Sequence, residues 1–217
     1  RTQLSVRASN SFAEHFLAPR LQRFLADYPR FRVRISSSPW TACAEQSNVD
    51  VEICNGYGDW SDRQVERLTS EHWLTVCSPA TLERRGWPGS AQALMSWPLY
   101  SVLGYREGWN EWLNQQQSHG PAPAPSLEFD TTTLAMQAVR YGDGVLLTRS
   151  FLVSDALQRG ELVQPHPGIL PTRGGHYLVC QRGDQRPKVS AFCDWLRREL
   201  RGHQAGLRLP TPGLAQE

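Results

Sequence analysis

The sequence has no long apolar run, few cysteines, only two methionines and no excess of one charge. No stretch approaches the roughly 18 apolar residues that a membrane helix needs, so a membrane partner is not expected. The first residues read as a strand, without the charged and apolar leader of an exported protein. Cys43, Cys54, Cys77, Cys180 and Cys193 are odd in number, lack a CxxC spacing and mostly sit in apolar patterns. That argues against a disulfide framework and predicts reduced thiols in a cytoplasmic protein. The 23 Lys and Arg against 21 Asp and Glu leave a net charge of +2, spread along the chain, unlike the clustered basic face of a nucleic-acid binder. The nearest basic run, Arg197, Arg198 and Arg201, reads as a solvated helix face.

Signatures of chemistry are missing as well. His15, His72, His119, His166, His176 and His203 never pair at i, i+4 or stand beside two cysteines, so no metal site is expected. There is no G-x-S-x-G elbow, no phosphate-cradling GxxxxGK and no GxGxxG, since Gly56-Tyr57-Gly58 lacks the third glycine. No cysteine has a neighbouring base to activate it. The expectation is a protein without catalytic residues, cofactor or metal.

What is present is patterning. With 217 residues, 40% of them hydrophobic, and eight Trp, the chain can bury a sizeable core. Leu4 to Ser9 alternates as a strand, and Asn10 or Ser11 offers an N-cap to a helix carrying Phe12, Phe16, Leu17, Leu21, Phe24 and Leu25. Phe31 to Ile35 and Val49 to Ile53 give two more strands, with a shortened, irregular connection at 39 to 48 containing Trp40. His72 to Cys77, Leu99 to Leu103, Leu127 to Phe129, Val145 to Leu147 and His176 to Cys180 read as further strands. Between them fall short helices at 79 to 85 and 90 to 95, one around Trp109, Trp112 and Leu113, and one capped by Thr131 or Thr132 and closed at Gly142 to Gly144. From Pro187 a helix carries Val189, Phe192, Cys193, Leu196 and Leu200 on one stripe, followed by a Gly, Pro and Gln-rich tail. Alternating strands and helices define an α/β protein.

Open α/β sheets bind ligands at the carboxyl ends of their strands. Ser9, Asn10 and Ser11 occupy such a place, as do Ser37 and Ser38 after the second strand, Tyr57 after the third and Thr131 and Thr132 at a later helix start. Taken singly, each hydroxyl reads as a helix cap worth about 1 kcal/mol. Two such helix starts together could hold an anion.

The order of motifs resembles the effector-binding domain of LysR-type transcriptional regulators over about residues 2 to 200, and within that family the glycine-cleavage-activator and β-lactamase-regulator subgroup. The resembling stretches are Phe16-Leu17-Ala18-Pro19-Arg20-Leu21, Gly56-Tyr57-Gly58-Asp59-Trp60, Val76-Cys77-Ser78-Pro79, Phe129 to Ala138, Gly142-Asp143-Gly144-Val145, and Tyr177 to Cys180 before Arg186-Pro187-Lys188-Val189. The resemblance implies a two-lobed, type 2 periplasmic-binding-protein-like fold with mixed, mostly parallel sheets and two crossing strands, near Trp73 and Tyr177, as a hinge. Lobe I would comprise 1–73 and 178–203, lobe II 74–177, and 204–217 a flexible tail.

The family's effector cleft carries over to Ser9, Asn10, Ser11, Ser37, Ser38, Thr131, Thr132 and Arg149, the last as a two-pronged carboxylate contact or, alternatively, a surface ion pair. Cys54 stands where many members have an arginine, with Glu52 and Asn55 beside it also unusual, which implies a different or less acidic effector. Tyr57 would stack on the ligand or bond to it. The resemblance further implies a homodimer or tetramer formed through helices 12–27 and 132–141, and promoter DNA bound only by a winged helix–turn–helix that would precede Arg1. A solute-binding protein of a transporter, and a small cytoplasmic hydrolase or transferase, are the competing readings.

Overall fold

A computed structural model describes residues 2–38, 48–61, 63–118 and 120–206, and divides their strands between two five-stranded sheets. The first contains β1 (Thr2–Ser9), β2 (Phe31–Ser38), β3 (Val51–Gly56), β4 (Gln64–Arg67) and β10 (Gly175–Cys180), in the order β2-β1-β3-β10-β4. The second contains β5 (His72–Val76), β6 (Leu99–Val102), β7 (Leu127–Phe129), β8 (Val145–Arg149) and β9 (Leu170–Pro171), in the order β7-β6-β8-β5-β9. The chain leaves the first sheet after Arg67, enters the second at His72, and returns between Pro171 and Gly175. In each sheet two pairings are parallel and two antiparallel, a more even mixture than the βα alternation alone implies. The antiparallel pairs all involve β10 or β5, the strands that follow the two crossings.

The first helical run is not the continuous helix its periodicity predicts. α1 (Asn10–Phe12) passes through a π turn at Ala13–Leu17 and a 3-10 turn at Ala18–Arg20 into α2 (Leu21–Asp27). Pro19 accounts for the change of pitch, because it has no N–H to donate and its ring crowds the carbonyl four residues earlier. The N-cap position is Ser9, not Asn10 or Ser11. α3 (Pro79–Arg85) and α4 (Ala91–Leu94) start on Ser78 and Ser90, whose hydroxyls accept the backbone N–H of Thr81 and Ala93. α5 (Trp109–Gln115), α6 (Thr132–Tyr141), α7 (Ser150–Gln158) and α8 (Pro187–Gly206) complete the fold. α8 runs through Gly202 to Gly206, so the tail expected from 204 starts inside a helix. Most of the connection expected to be irregular at 39 to 48, with Trp40 and Cys43, lies outside the described residues.

Leu4, Val6 and Ala8 on one face of β1 are fully buried against Phe12, Phe16 and Phe24 and against Val189, Phe192, Trp195 and Leu196 of α8. The last helix thus returns to cover the first sheet. The second sheet is covered on one face by Trp97, Trp109 and Trp112 and on the other by Met136 and Val139 of α6 with Val153 of α7. Each such side chain contributes about 1.5–3 kcal/mol by leaving water. These apolar layers hold the backbone of each sheet and so position its polar strand ends.

Candidate functional site

β1 and β2 run in parallel register from Thr2 opposite Phe31 to Ser9 opposite Ser38, which brings these two serines side by side at the carboxyl edge of the first sheet. In the second sheet, Val102 pairs with Phe129, so the segments leaving β6 and β7 emerge together, carrying Tyr105, Asp130, Thr131 and Thr132. The two edges meet around one small cavity. Ser9, Asn10, Ser11, Ser38 and Asn55 line it from the first sheet, and Val102, Tyr105, Asp130, Thr131 and Thr132 from the second. It measures about 20 Å³, room for roughly one water molecule. A metabolite fits only if the edges separate.

The hydroxyls divide into those already used and those that are not. Thr131 accepts the N–H of Leu134 and caps α6, the bland role the sequence allows it. Ser9 occupies the N-cap position of α1 but makes no side-chain capping bond. The Ser9 and Ser38 hydroxyls are buried and have no hydrogen-bond partner among the described residues. An unmet buried hydroxyl costs about 1–3 kcal/mol, so a pair of them facing one cavity is a poor arrangement unless something polar enters it.

Of the expected site residues, the structure gathers Ser9, Asn10, Ser11, Ser38, Thr131 and Thr132 at this cavity. Ser37 instead faces a separate, open groove of about 420 Å³ between the first helical run and α6, shared with Asn10 and Thr131. Adjacent residues of a strand point to opposite faces, and this places Ser37 apart from Ser38. Cys54 is fully buried on the far face of β3, packed with Tyr177 and Val179. Tyr57 donates to the Glu107 carboxylate at 2.7 Å and does not line the cavity. Burial, the Glu107 contact adding to it, pushes the Tyr57 phenol up to about 12, so it stays a donor.

Arg149 is not a surface ion pair: its side chain is 2% exposed, and Glu71 opposite it is 0% exposed. Its Nε donates to Glu71 Oε2 at 2.6 Å and its Nη1 to Asn55 Oδ1 at 2.9 Å. Asn55 in turn donates to the Tyr105 hydroxyl at 2.8 Å. The guanidinium therefore reaches the cavity wall through Asn55, with Nη2 left as a buried donor without a partner among the described residues. Glu71 also takes hydrogen bonds from Thr69 at 2.5 Å and meets His176 Nδ1 at 2.7 Å. Glu71 lies in the outgoing crossing and His176 just after the return, so this buried network ties both crossings to β8 and β3. Sequence reasoning does not place Asn55, Val102, Tyr105 and Asp130 at the cavity, although each lies near or just past the carboxyl end of a strand.

A sequence profile described as the LysR substrate binding domain matches residues 1–201. The chain belongs to the LysR family. It is 29% identical over 206 residues to the glycine cleavage system transcriptional activator of Escherichia coli (strain K12), covering 94% of this chain and 67% of that protein. It is 32% identical over 209 residues to an uncharacterized HTH-type transcriptional regulator, y4mQ, of Sinorhizobium fredii (strain NBRC 101917 / NGR234), covering 94% and 68%. Among solved structures, the effector domain of the transcriptional regulator AmpR of Pseudomonas aeruginosa superposes with a TM-score of 0.79 at 22% identity, over 94% of this chain and 98% of that one. The regulatory domain of CrgA from Neisseria meningitidis gives 0.76 at 22%, over 92% and 99%. The chain is thus a LysR-type effector-binding domain with the two-lobed fold of these neighbours, the ligand-sensing part of a transcriptional regulator. A transporter's solute-binding protein is not favoured, since these relatives are named as regulators of transcription, and none of them as an enzyme. No helix among the described residues is long and apolar enough to cross a membrane.

Proposed function

We propose that this LysR-type domain takes a small polar effector into the cavity between Ser9, Ser38, Asn55, Tyr105, Asp130 and Thr132, and that the two lobes close on it about the crossings at 68–71 and 172–174. The observation that carries this reading is the pair of unmet hydroxyls of Ser9 and Ser38 at a cavity walled by both sheets. No Lys or Arg among the described residues lines that cavity and Arg149 is already neutralised by Glu71, which supports an effector with at most one negative charge. A ligand biases the lobes only by the difference in its affinity for the two arrangements, and about 1–3 kcal/mol suffices for a regulatory response.

The domain acts as a non-enzymatic sensor in the cytoplasm, and promoter DNA is read by a winged helix–turn–helix elsewhere in the full-length regulator. It pairs side by side with a second copy, the helical run at 12–27 against 132–141 of the partner. α6 supports this: Leu134 and Tyr141, one heptad apart, are 53% and 88% exposed while its other face is buried.

Thermal-shift screening of amino acids, aromatic acids and cell-wall fragments tests the effector reading. A ligand at about 100 times its Kd stabilises the native state by about 2.7 kcal/mol, which raises Tm by roughly 5–10 °C in a chain of this size. The best hit should lose most of its shift in Ser9→Ala and Ser38→Ala, whose own unliganded Tm should stay within about 2 °C of the parent because neither hydroxyl has a partner to lose among the described residues. An undiminished shift in both variants places the effector elsewhere.

A further inference from the structure

Two carboxylates stand at the cavity and its neighbouring groove. Asp130, after β7, lines the small cavity, and Glu14, in the π turn of the first helical run, lines the open groove of about 420 Å³. Both residues are exposed, and neither forms a salt bridge among the described residues. No Lys, Arg or His among the described residues lines either space, and the sequence from 39 to 47 contains none of the three. The start of α6 supplies only about half a positive charge there, which a single carboxylate outweighs. An entering anion therefore meets a negative potential and an entering cation a favourable one.

The two spaces share a wall. Asn10, at the start of α1, and Thr131, just before α6, line both, so that wall is built by one residue from each lobe. Lobes that part to admit a ligand pull Asn10 away from Thr131 and open the cavity into the groove. Ser9, 3% exposed and with its hydroxyl unmet, marks the inner end as polar, while Ala13, Ala18 and Ile35 give the groove an apolar stretch.

We infer that the effector is an aliphatic diamine. One ammonium sits with Asp130 and donates to the Ser9 and Ser38 hydroxyls, which become its acceptors; the methylene stem follows Ala13, Ala18 and Ile35; the second ammonium meets Glu14. This rests on the cavity reading proposed above and names the ligand class that its charges select. An ammonium has three donors and no acceptor, which suits a carboxylate flanked by two hydroxyls. The groove alone falls within the roughly 300–1,000 Å³ of small-molecule sites, so the joined space has room for such a chain. A dicarboxylate of the same length would face two like charges.

Isothermal titration calorimetry of the 217-residue chain with unbranched α,ω-diamines, from 1,3-diaminopropane to 1,8-diaminooctane, tests this, with 1-aminobutane and glutarate as controls. Affinity should peak at one or two adjacent chain lengths, because both ammonium groups must reach a carboxylate. The monoamine should bind more weakly and glutarate not at all. Glu14→Gln and Asp130→Asn, both nearly isosteric and at exposed positions, should keep the far-UV circular dichroism of the parent. Each should weaken the best diamine about two- to fivefold, and the double variant about tenfold. Raising salt from about 0.05 M to about 0.5 M should weaken the parent in the same direction. No binding by any diamine, tighter binding of glutarate, or a best diamine indifferent to both substitutions would overturn the ligand class. Glutarate binding that Ser9→Ala and Ser38→Ala abolish would leave the cavity reading intact. A diamine weakened by the two carboxylate substitutions but undiminished in Ser9→Ala and Ser38→Ala would overturn that reading instead.

Discussion

The Tyr57 hydroxyl, on the loop after β3, bonds at 2.7 Å to Glu107, on the loop after β6, and so bridges the two sheets directly. The second oxygen of the same carboxylate takes the Thr172 hydroxyl at 2.5 Å, from the return crossing. Arg106 lies 4.1 Å over the Tyr57 ring and donates its backbone N–H to the phenol oxygen. Gly58 makes this loop possible: its φ of +88° is a left-handed conformation, and the Tyr177 ring already stands 3.2 Å from where a Cβ would be. Three segments, from both sheets and one crossing, therefore converge on one carboxylate and tie the two sheets together.

Replacing Tyr57 with Phe keeps the ring under Arg106 and removes the bond to Glu107 together with the weaker one accepted from the Arg106 backbone N–H. A hydrogen bond to a charged acceptor is worth about 1.5–3 kcal/mol, of which part is recovered by water at this half-buried position. The variant should lose about 1–2 kcal/mol in urea denaturation and show a larger radius of gyration in small-angle X-ray scattering. Unchanged scattering would mean that the latch does not set the separation of the lobes.

How far the sequence could be read depends on the kind of signal. Strands with alternation and helices with one apolar stripe, such as Leu4 to Ser9 and the α8 stripe from Val189 to Leu200, were legible because one face meets the core and the other does not. α7 was missed because Phe151, Leu152, Val153, Ser154 and Ala156 are all buried, leaving no polar face to mark a period. β4 was missed because four residues at a sheet edge carry too little pattern. The cavity's serines and threonines were found from their place at strand ends. Glu71, Glu107 and Tyr105 were not, since their roles come from long-range pairing across loops that no local spacing records.

Glu71 makes its contribution through charge at a fully buried position. Burial by itself would raise its pKa, but the His176 ring and the Arg149 guanidinium, with hydrogen bonds from His176 and Thr69, bring it down to about 2 from an ordinary 4.5. A carboxylate held lower in the folded state than in the unfolded one stabilises the fold above its unfolded pKa and loses that contribution as pH falls through the folded value. The loss should therefore extend from about pH 4.5 down to about pH 2. Glu71→Gln leaves Arg149 buried without its counter-charge and should cost about 3–5 kcal/mol at pH 7, while flattening the acid side of the stability curve. Urea denaturation from pH 7 to pH 3 on both proteins measures this. Parallel curves for parent and variant would show that the pair is not linked to proton binding.

The proposed side-by-side pairing rests on the face of α6 that carries Leu134 and Tyr141. Exposed side chains of this size on one helical stripe are costly to solvate and, in a family whose helices at 12–27 and 132–141 are expected to pair, fit the centre of an interface. Substituting both with Asp leaves the buried side, Ala135, Met136 and Val139, untouched, so the fold and the far-UV circular dichroism should persist. Two buried charges facing their copies across a twofold axis would each cost a few kcal/mol, enough to weaken a micromolar dimer by about a hundredfold or more. Sedimentation equilibrium of the 217-residue chain should then give a dimer for the parent and a monomer for the double variant at the same concentration. A parent that sediments as a monomer at all concentrations, or a double variant that still dimerises, would remove α6 from the interface.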